Sequence, residues 1–238
     1  MAKSLFSLPC LAVGFAIAVL GATSTNARAV AIDASYRGFY LDNGFHTDGF
    51  DGYLTGWDGN EYRSFFVFEI PLLSEPALAG SLRLWMPPGS FFSTLPSEPL
   101  TLWSISTAVP DLIASHDVDS PEGEAIFADL GSGDVFGTAI VSNPGIAGTY
   151  LHITLNENAL AAIHAAQETQ FAIGASFSSV NVGGDPSIGF LNTATGDGDN
   201  TGPTAAQLSL VPEPGTAMLF VLAVCGLVLV RRRLSPRH

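Results

Sequence analysis

The 238-residue chain has two cysteines, and both fall in apolar terminal segments, Cys10 near the start and Cys225 near the end. The long stretch between them has no thiol, which excludes a disulfide framework, a thiolate metal site and a cysteine nucleophile there. Cys10 precedes the first apolar run instead of closing it, so it does not stand where a bacterial lipoprotein carries its lipid.

Cations are scarce too. Of the 9 Lys plus Arg, Lys3 and Arg28 lie at the start, and Arg231, Arg232, Arg233 and Arg237 at the far end. The body keeps Arg37, Arg63 and Arg83 against 21 of the 22 carboxylates, all but Glu213. Such a field repels phosphates and acidic lipid headgroups, which argues against nucleic-acid binding and against peripheral membrane docking by the body. Cations, neutral glycans and basic partners fit it better.

Catalytic signatures are missing. No Gly-x-Ser-x-Gly occurs, the common setting of a serine nucleophile. The histidines, His46, His116, His152, His164 and His238, form no His-x-x-x-His or His-Glu-x-x-His pair, so zinc lacks its usual ligand spacing. Long amphipathic helices are absent as well.

The two ends are informative. Lys3 gives a positive start, Leu11 to Leu20 an apolar stretch, and Ala27-Arg28-Ala29 a small-x-small site. This predicts a signal peptide over residues 1–29, cut after Ala29. The apolar run is short for an anchor and gives way to Gly21-Ala22-Thr23-Ser24-Thr25, which reads as a cleavage region. At the other end Thr216 to Val230 is continuously apolar or small and runs into Arg231-Arg232-Arg233, as a single C-terminal transmembrane helix with its arginines in the cytoplasm would. The body would then hang outside the membrane. Before the span comes Val211-Pro212-Glu213-Pro214-Gly215, which the prolines hold extended.

This order of Pro-Glu-Pro, apolar span, arginine cluster and chain end resembles the PEP-CTERM sorting signal, whose bearers are processed by exosortases; a plain C-terminal tail anchor is the alternative. The resemblance covers Val211 to Arg233. It implies that Pro212, Glu213 and Pro214 form the recognition triplet and that Arg231, Arg232 and Arg233 form the cytoplasmic stop. It also implies an exosortase-like partner, a Gram-negative bacterium making extracellular polysaccharide, and a protein anchored transiently by its C-terminal helix. Processing would leave it on the cell surface or in the extracellular matrix. Residues 211–238 are then the sorting segment.

About 180 residues, 30–210, remain for one domain with a single core. Short apolar runs between Gly, Pro, Asp and Asn clusters predict an all-β domain, a jelly-roll-like β-sandwich with one short helix. The clearest strand is Tyr62 to Ile70, with Tyr62, Ser64, Phe66, Phe68 and Ile70 on one face, Arg63, Phe65, Val67 and Glu69 on the other, and both faces buried at its centre. Leu82–Trp85, Leu100–Trp103, Val135–Val141, Tyr150–Leu155, Phe171–Phe177 and Gln207–Leu210 read as further strands, with Pro71 to Gly80 a connection. Leu160, Ile163 and Ala166 give helical spacing over Glu157–Gln167, capped by Asn156 or Asn158. Arg63–Ile70 running to Ser81–Leu84, and Tyr150–Phe177, resemble a β-sandwich of secreted bacterial proteins; the first stretch is also similar to a jelly-roll carbohydrate-binding module.

Acidic turns offer the other candidate chemistry. Asp42-Asn43-Gly44, Asp48-Gly49-Phe50-Asp51-Gly52, Asp58-Gly59-Asn60 and Asp197-Gly198-Asp199-Asn200 collect oxygen ligands that suit calcium, with Asp42, Asp48, Asp51, Asp197 and Asp199 as candidate ligands. Asp, Asn and Gly are also the commonest turn-formers, so plain turns are the stronger reading, and none of these runs has the closing Glu of an EF-hand. Phe39, Tyr40, Phe45, Phe50, Tyr53 and Trp57 crowd the same region, fit either for stacking sugar rings or for a core. No catalytic residue and no required cofactor emerge. The expectation is a non-enzymatic exported surface or matrix protein that binds polysaccharide. A secreted glycan hydrolase with two carboxylates across a cleft and a calcium-stabilised structural module are the alternatives.

Overall fold

Short apolar runs bounded by turn residues make most of the strands, and the faces they bury fix the core. The computed structural model describes residues 29–50, 52–57, 59–87, 91–93, 95–142, 148–177, 190–192 and 206–212. The unit Ala29–Pro212 is mostly β. Its strands are β1 (Val30–Leu41), β2 (Leu54–Trp57), β3 (Glu61–Glu69), β4 (Ala77–Met86), β5 (Phe91–Phe92), β6 (Ser97–Ser104), β7 (Val135–Ser142), β8 (Thr149–Thr154), β9 (Gln170–Phe177), β10 (Phe190–Asn192) and β11 (Ala206–Pro212).

The strands read from the short apolar runs lie within or nearly coincide with β3, β4, β6, β7, β8, β9 and β11. The Pro71–Gly80 connection is shorter than expected, because β4 already begins at Ala77. β1 was not legible. Its even-numbered residues stay the better-buried ones from Val30 to Tyr40, but a bulge between Ala34 and Tyr36 sends them from one core to the other, Ile32 into the first and Tyr40 into the second.

That bulge organises the fold. Val30–Asp33 pair with β11, whereas Ala34–Leu41 pair with β3, so β1 belongs to two runs of strands. One run is β1–β11–β4–β8 and the other β1–β3–β9–β6–β7, every pairing antiparallel. The far edges come together: the Asn156 N–H donates to the Phe136 carbonyl at 2.9 Å, and a Cβ on Gly137 would overlap the Thr154 carbonyl oxygen. The sheet thus curls nearly to closure, which leaves few free strand edges.

Inside lie Leu82, Leu84 and Met86 of β4, Leu151 and Ile153 of β8, and Leu208 and Leu210 of β11, facing Phe66, Phe68, Leu100, Leu102 and Ile173. Helix Glu157–Ala165 crosses between β8 and β9 and adds Ala159 and Ile163 to this core. Its cap is Asn156, whose side chain accepts from the Ala159 N–H at 3.0 Å.

Among the described residues the domain has three helices where one was expected. α1 (Val109–Ile113) and α2 (Pro121–Asp129) precede the predicted helix, which is therefore α3. They cover the outer face of β1 and β3, where Tyr40 of β1 and Phe65 and Val67 of β3 meet Leu112, Ile126, Phe127 and Leu130. This is why β3 is buried on both faces. Five residues are too few to display a helical period, and α2 buries only Gly123, Ile126 and Phe127. Its local signal lies at the start: Ser120 accepts from the Gly123 N–H at 3.2 Å, and Pro121 follows at the first position, a favoured N-terminal arrangement. Among the described residues no helix is long and apolar enough to cross a membrane. The predicted span Thr216–Val230 and leader residues 1–28 lie outside the described residues.

Candidate functional site

Of the predicted sorting residues, Pro212 is the last residue of β11 and Ala29 is exposed just before β1. Ala27, Glu213, Pro214, Arg231, Arg232 and Arg233 lie outside the described residues. Val30 and Leu210 are register partners on β1 and β11, so the body's first and last strands lie side by side. Pro212 pairs opposite Ala77 after a register shift at Val211. A proline at a strand end costs no interior ladder bond.

Two of the acidic turns, around Asp42 and Asp48, are held by hydrogen bonds within the described residues. The Asp42 N–H donates to the Glu61 carbonyl at 2.9 Å, and the Asn43 side chain accepts from the Phe45 N–H at 3.2 Å. Asp48 accepts from the Tyr36 hydroxyl at 3.0 Å, and its N–H donates to the Ser115 hydroxyl at 2.9 Å. Among the described residues no three His, Cys, Asp or Glu side chains are grouped to hold a metal. Asp51, Asp197 and Asp199 lie outside the described residues. Of the nearby aromatics, Tyr40 and Tyr53 are fully buried core residues. Phe50, packed edge-on against Phe39 with ring centroids 5.1 Å apart, is exposed.

The loop after β1 encloses His46, one of the histidines that lack zinc-ligand spacing in the sequence. His46 and His116 exchange backbone hydrogen bonds at 3.1 and 2.9 Å. The His46 ring stacks on Tyr40 at 4.6 Å and meets Phe65 edge-on at 5.4 Å. Nδ1 lies 2.9 Å from the Phe39 carbonyl, and Nε2 is buried without a well-formed hydrogen bond. Burial lowers the ring's pKa, with the Phe39 and Ile113 carbonyls pulling the other way. The neutral ring with its proton on Nδ1 fits this pocket. Burial likewise raises the Tyr40 hydroxyl well above its usual range, and that hydroxyl donates to the Leu112 carbonyl at 3.0 Å. These groups tie the loop to α1.

Asp129 does the same for the segment before α1. Burial opposes its charge, but the Ser106 and Thr107 N–H and hydroxyl groups all donate to it at 2.7–2.9 Å and hold its carboxyl below the usual range. Beside it an open cavity of about 370 Å³ has Ser104, Thr107, Gln170 and the ring of Phe171 in its lining. No acid or base lines it, so it offers no general acid–base pair.

The most feature-rich surface is the outer face of the β1–β11–β4–β8 run. Because Leu82, Leu84 and Met86 point inward, Ser81, Arg83 and Trp85 point outward. Register puts Asp33, Gln207, Arg83 and His152 in one row across the strands, with Trp85 opposite Tyr150 in the next. Trp85 and Tyr150 pack edge to face with centroids 5.2 Å apart, and the Arg83 guanidinium lies 4.5 Å over the Tyr150 ring. The Gln207 amide donates to Asp33 at 2.5 Å, so Asp33 is held by its neighbour and not by Arg83. Sequence reasoning did not single out these residues. Alternation in Leu82-Arg83-Leu84-Trp85 and Tyr150-Leu151-His152 was the available signal, but only pairing brings the two strands together.

No protein-family model matches the chain, and no curated protein resembles it significantly.

Proposed function

We propose that this chain is an exported surface or extracellular-matrix protein, delivered by a signal peptide, processed at Pro212-Glu213-Pro214 by an exosortase-like enzyme, and non-enzymatic. Its role there is to bind polysaccharide, and its strands form a jelly-roll-like β-sandwich in which the two runs sharing β1 are the layers. The observation that carries this reading is the pairing of Val30 with Leu210. The two expected processing points adjoin neighbouring strands at one end of one sheet, so removing both terminal segments leaves every described strand whole. Such a domain can fold first and be released afterwards.

The test is intact-mass analysis of the chain from culture supernatant and membranes, beside a Pro212→Ala, Glu213→Ala, Pro214→Ala variant. The native chain is expected to begin near Val30 and end near Pro212, with the variant retained uncut in membranes. A native chain intact to His238 would overturn the proposal.

A further inference from the structure

We propose that the outer face of the β1–β11–β4–β8 run is a binding platform for acidic polysaccharide, a uronate-bearing chain. Arg83 would meet a carboxylate, and Trp85 and Tyr150 would meet sugar rings. This deepens the proposed function and rests on its polysaccharide-binding part.

Charge is the first argument. The body is strongly acidic, yet Val30–Asp33, β4, β8 and β11 carry a single carboxylate, Asp33. Asp33 is already engaged by Gln207. The cationic and titratable bases on these strands are Arg83 and His152, neighbours in register. An acidic protein has thus gathered its carboxylates elsewhere and left one sheet face where an anion meets little opposing charge. Screening over about 8 Å at physiological salt confines the influence of the remaining carboxylates.

The state of Arg83 is the second argument. Arg63 is paired with Glu61 at 2.8 Å. Arg83, in contrast, forms no ion pair or hydrogen bond among the described residues, and its Nε is buried without a partner. Its one described interaction is with the face of Tyr150, which fixes the planar group while leaving its fork of donors unused. A guanidinium so held suits a carboxylate in two-point contact.

Shape is the third argument. Trp85 and Tyr150 are half-buried, His152 is exposed and Gln207 half-buried, so rings and polar tips share one surface. Arg83 and Trp85 are two residues apart on β4, about 7 Å along the strand. A carboxylate and a ring face on adjoining sugars can therefore be met at once. The aromatic rings supply apolar area with little entropy to lose, while the polar row gives orientation.

The test uses the exported protein purified from the producing cells, in chelator-containing buffer so that bridging metal is absent. Sodium polygalacturonate and neutral dextran are the probes, read by affinity electrophoresis and calorimetry. Native protein is expected to bind polygalacturonate and not dextran. Arg83→Gln and Trp85→Ala are each expected to weaken binding by about tenfold or more, whereas Tyr150→Phe, which keeps the ring, stays within about twofold. If a half-buried variant unfolds, exposed His152→Ala reads the same face and is expected to weaken binding. Undiminished binding by the folded variants would overturn this site while leaving polysaccharide binding intact. Equal binding of dextran would overturn the acidic class. Binding of neither polymer by the native protein would overturn the platform, while sorting at Pro212 stands on its own mass measurement.

Discussion

Gly123 and Gly44 meet backbone to backbone: a Cβ on Gly123 would overlap the Gly44 carbonyl, and one on Gly44, itself at φ +81°, would lie 2.7 Å from the Ser120 carbonyl oxygen. The loop after β1 is thereby seated on the first turn of α2. Gly123→Ala is expected to lower stability by about 3 kcal/mol, since backbone on both sides must give. Gly49 has φ +84° but nothing within 4 Å of its would-be Cβ, so Gly49→Ala is expected to cost only about 1 kcal/mol of backbone strain. Urea denaturation of both variants checks the contrast.

His46 sets a dependence on pH. Its folded pKa lies below the ordinary 6.5 because burial disfavours the charged ring. The unfolded chain therefore binds the proton first as pH falls. Its contribution is whole above about pH 6.5 and is lost as pH drops below that value through the folded pKa. His46→Asn keeps an N–H near the place of Nδ1 but cannot titrate. It is expected to be less stable at neutral pH, yet to lose less on going from pH 7 to pH 5, read as melting temperature.

Asp129 acts at lower pH. With its folded pKa depressed, its contribution is present above the ordinary value of 3.8 and is lost as pH falls through the folded pKa. Asp129→Ala leaves the four donors of Ser106 and Thr107 without their acceptor and is expected to cost about 2 kcal/mol at neutral pH. Asp129→Asn should recover part of this, and both should flatten the acid limb of the stability curve in thermal melts.

β11 lies between β1 and β4, with Leu208 and Leu210 buried. Ending the chain before Ala206 is expected to abolish folding, whereas ending it after Pro212 leaves the melting temperature unchanged. Circular dichroism on the two truncations checks this. An equal loss in both would mean that residues beyond β11 are needed by the fold.

How far the sequence could be read follows from how far each signal reaches. Short apolar runs between turn residues are a local signal, so β3, β4, β6–β9 and β11 were legible, down to the double burial of Phe65 through Phe68 on β3. The cap of α3 by Asn156 is local too, a side chain bonding its own turn. Absences were also decisive: a body without thiols and nearly without cations excludes whole classes of site by composition alone. Local pattern did not carry the bulge that divides β1, nor the two short helices that cover β3, because their apolar residues make sense only against Tyr40 and Phe65. Nor could it bring Val30 to Leu210, Trp85 to Tyr150, or His46 to His116. Those pairs join residues far apart in the chain, and their register is set by packing of the whole sheet. The sequence by itself determined seven of the strands, β3, β4, β6–β9 and β11, and what chemistry the body lacks. Tertiary structure alone decided which strands are neighbours, and so which side chains share the outer face around Arg83.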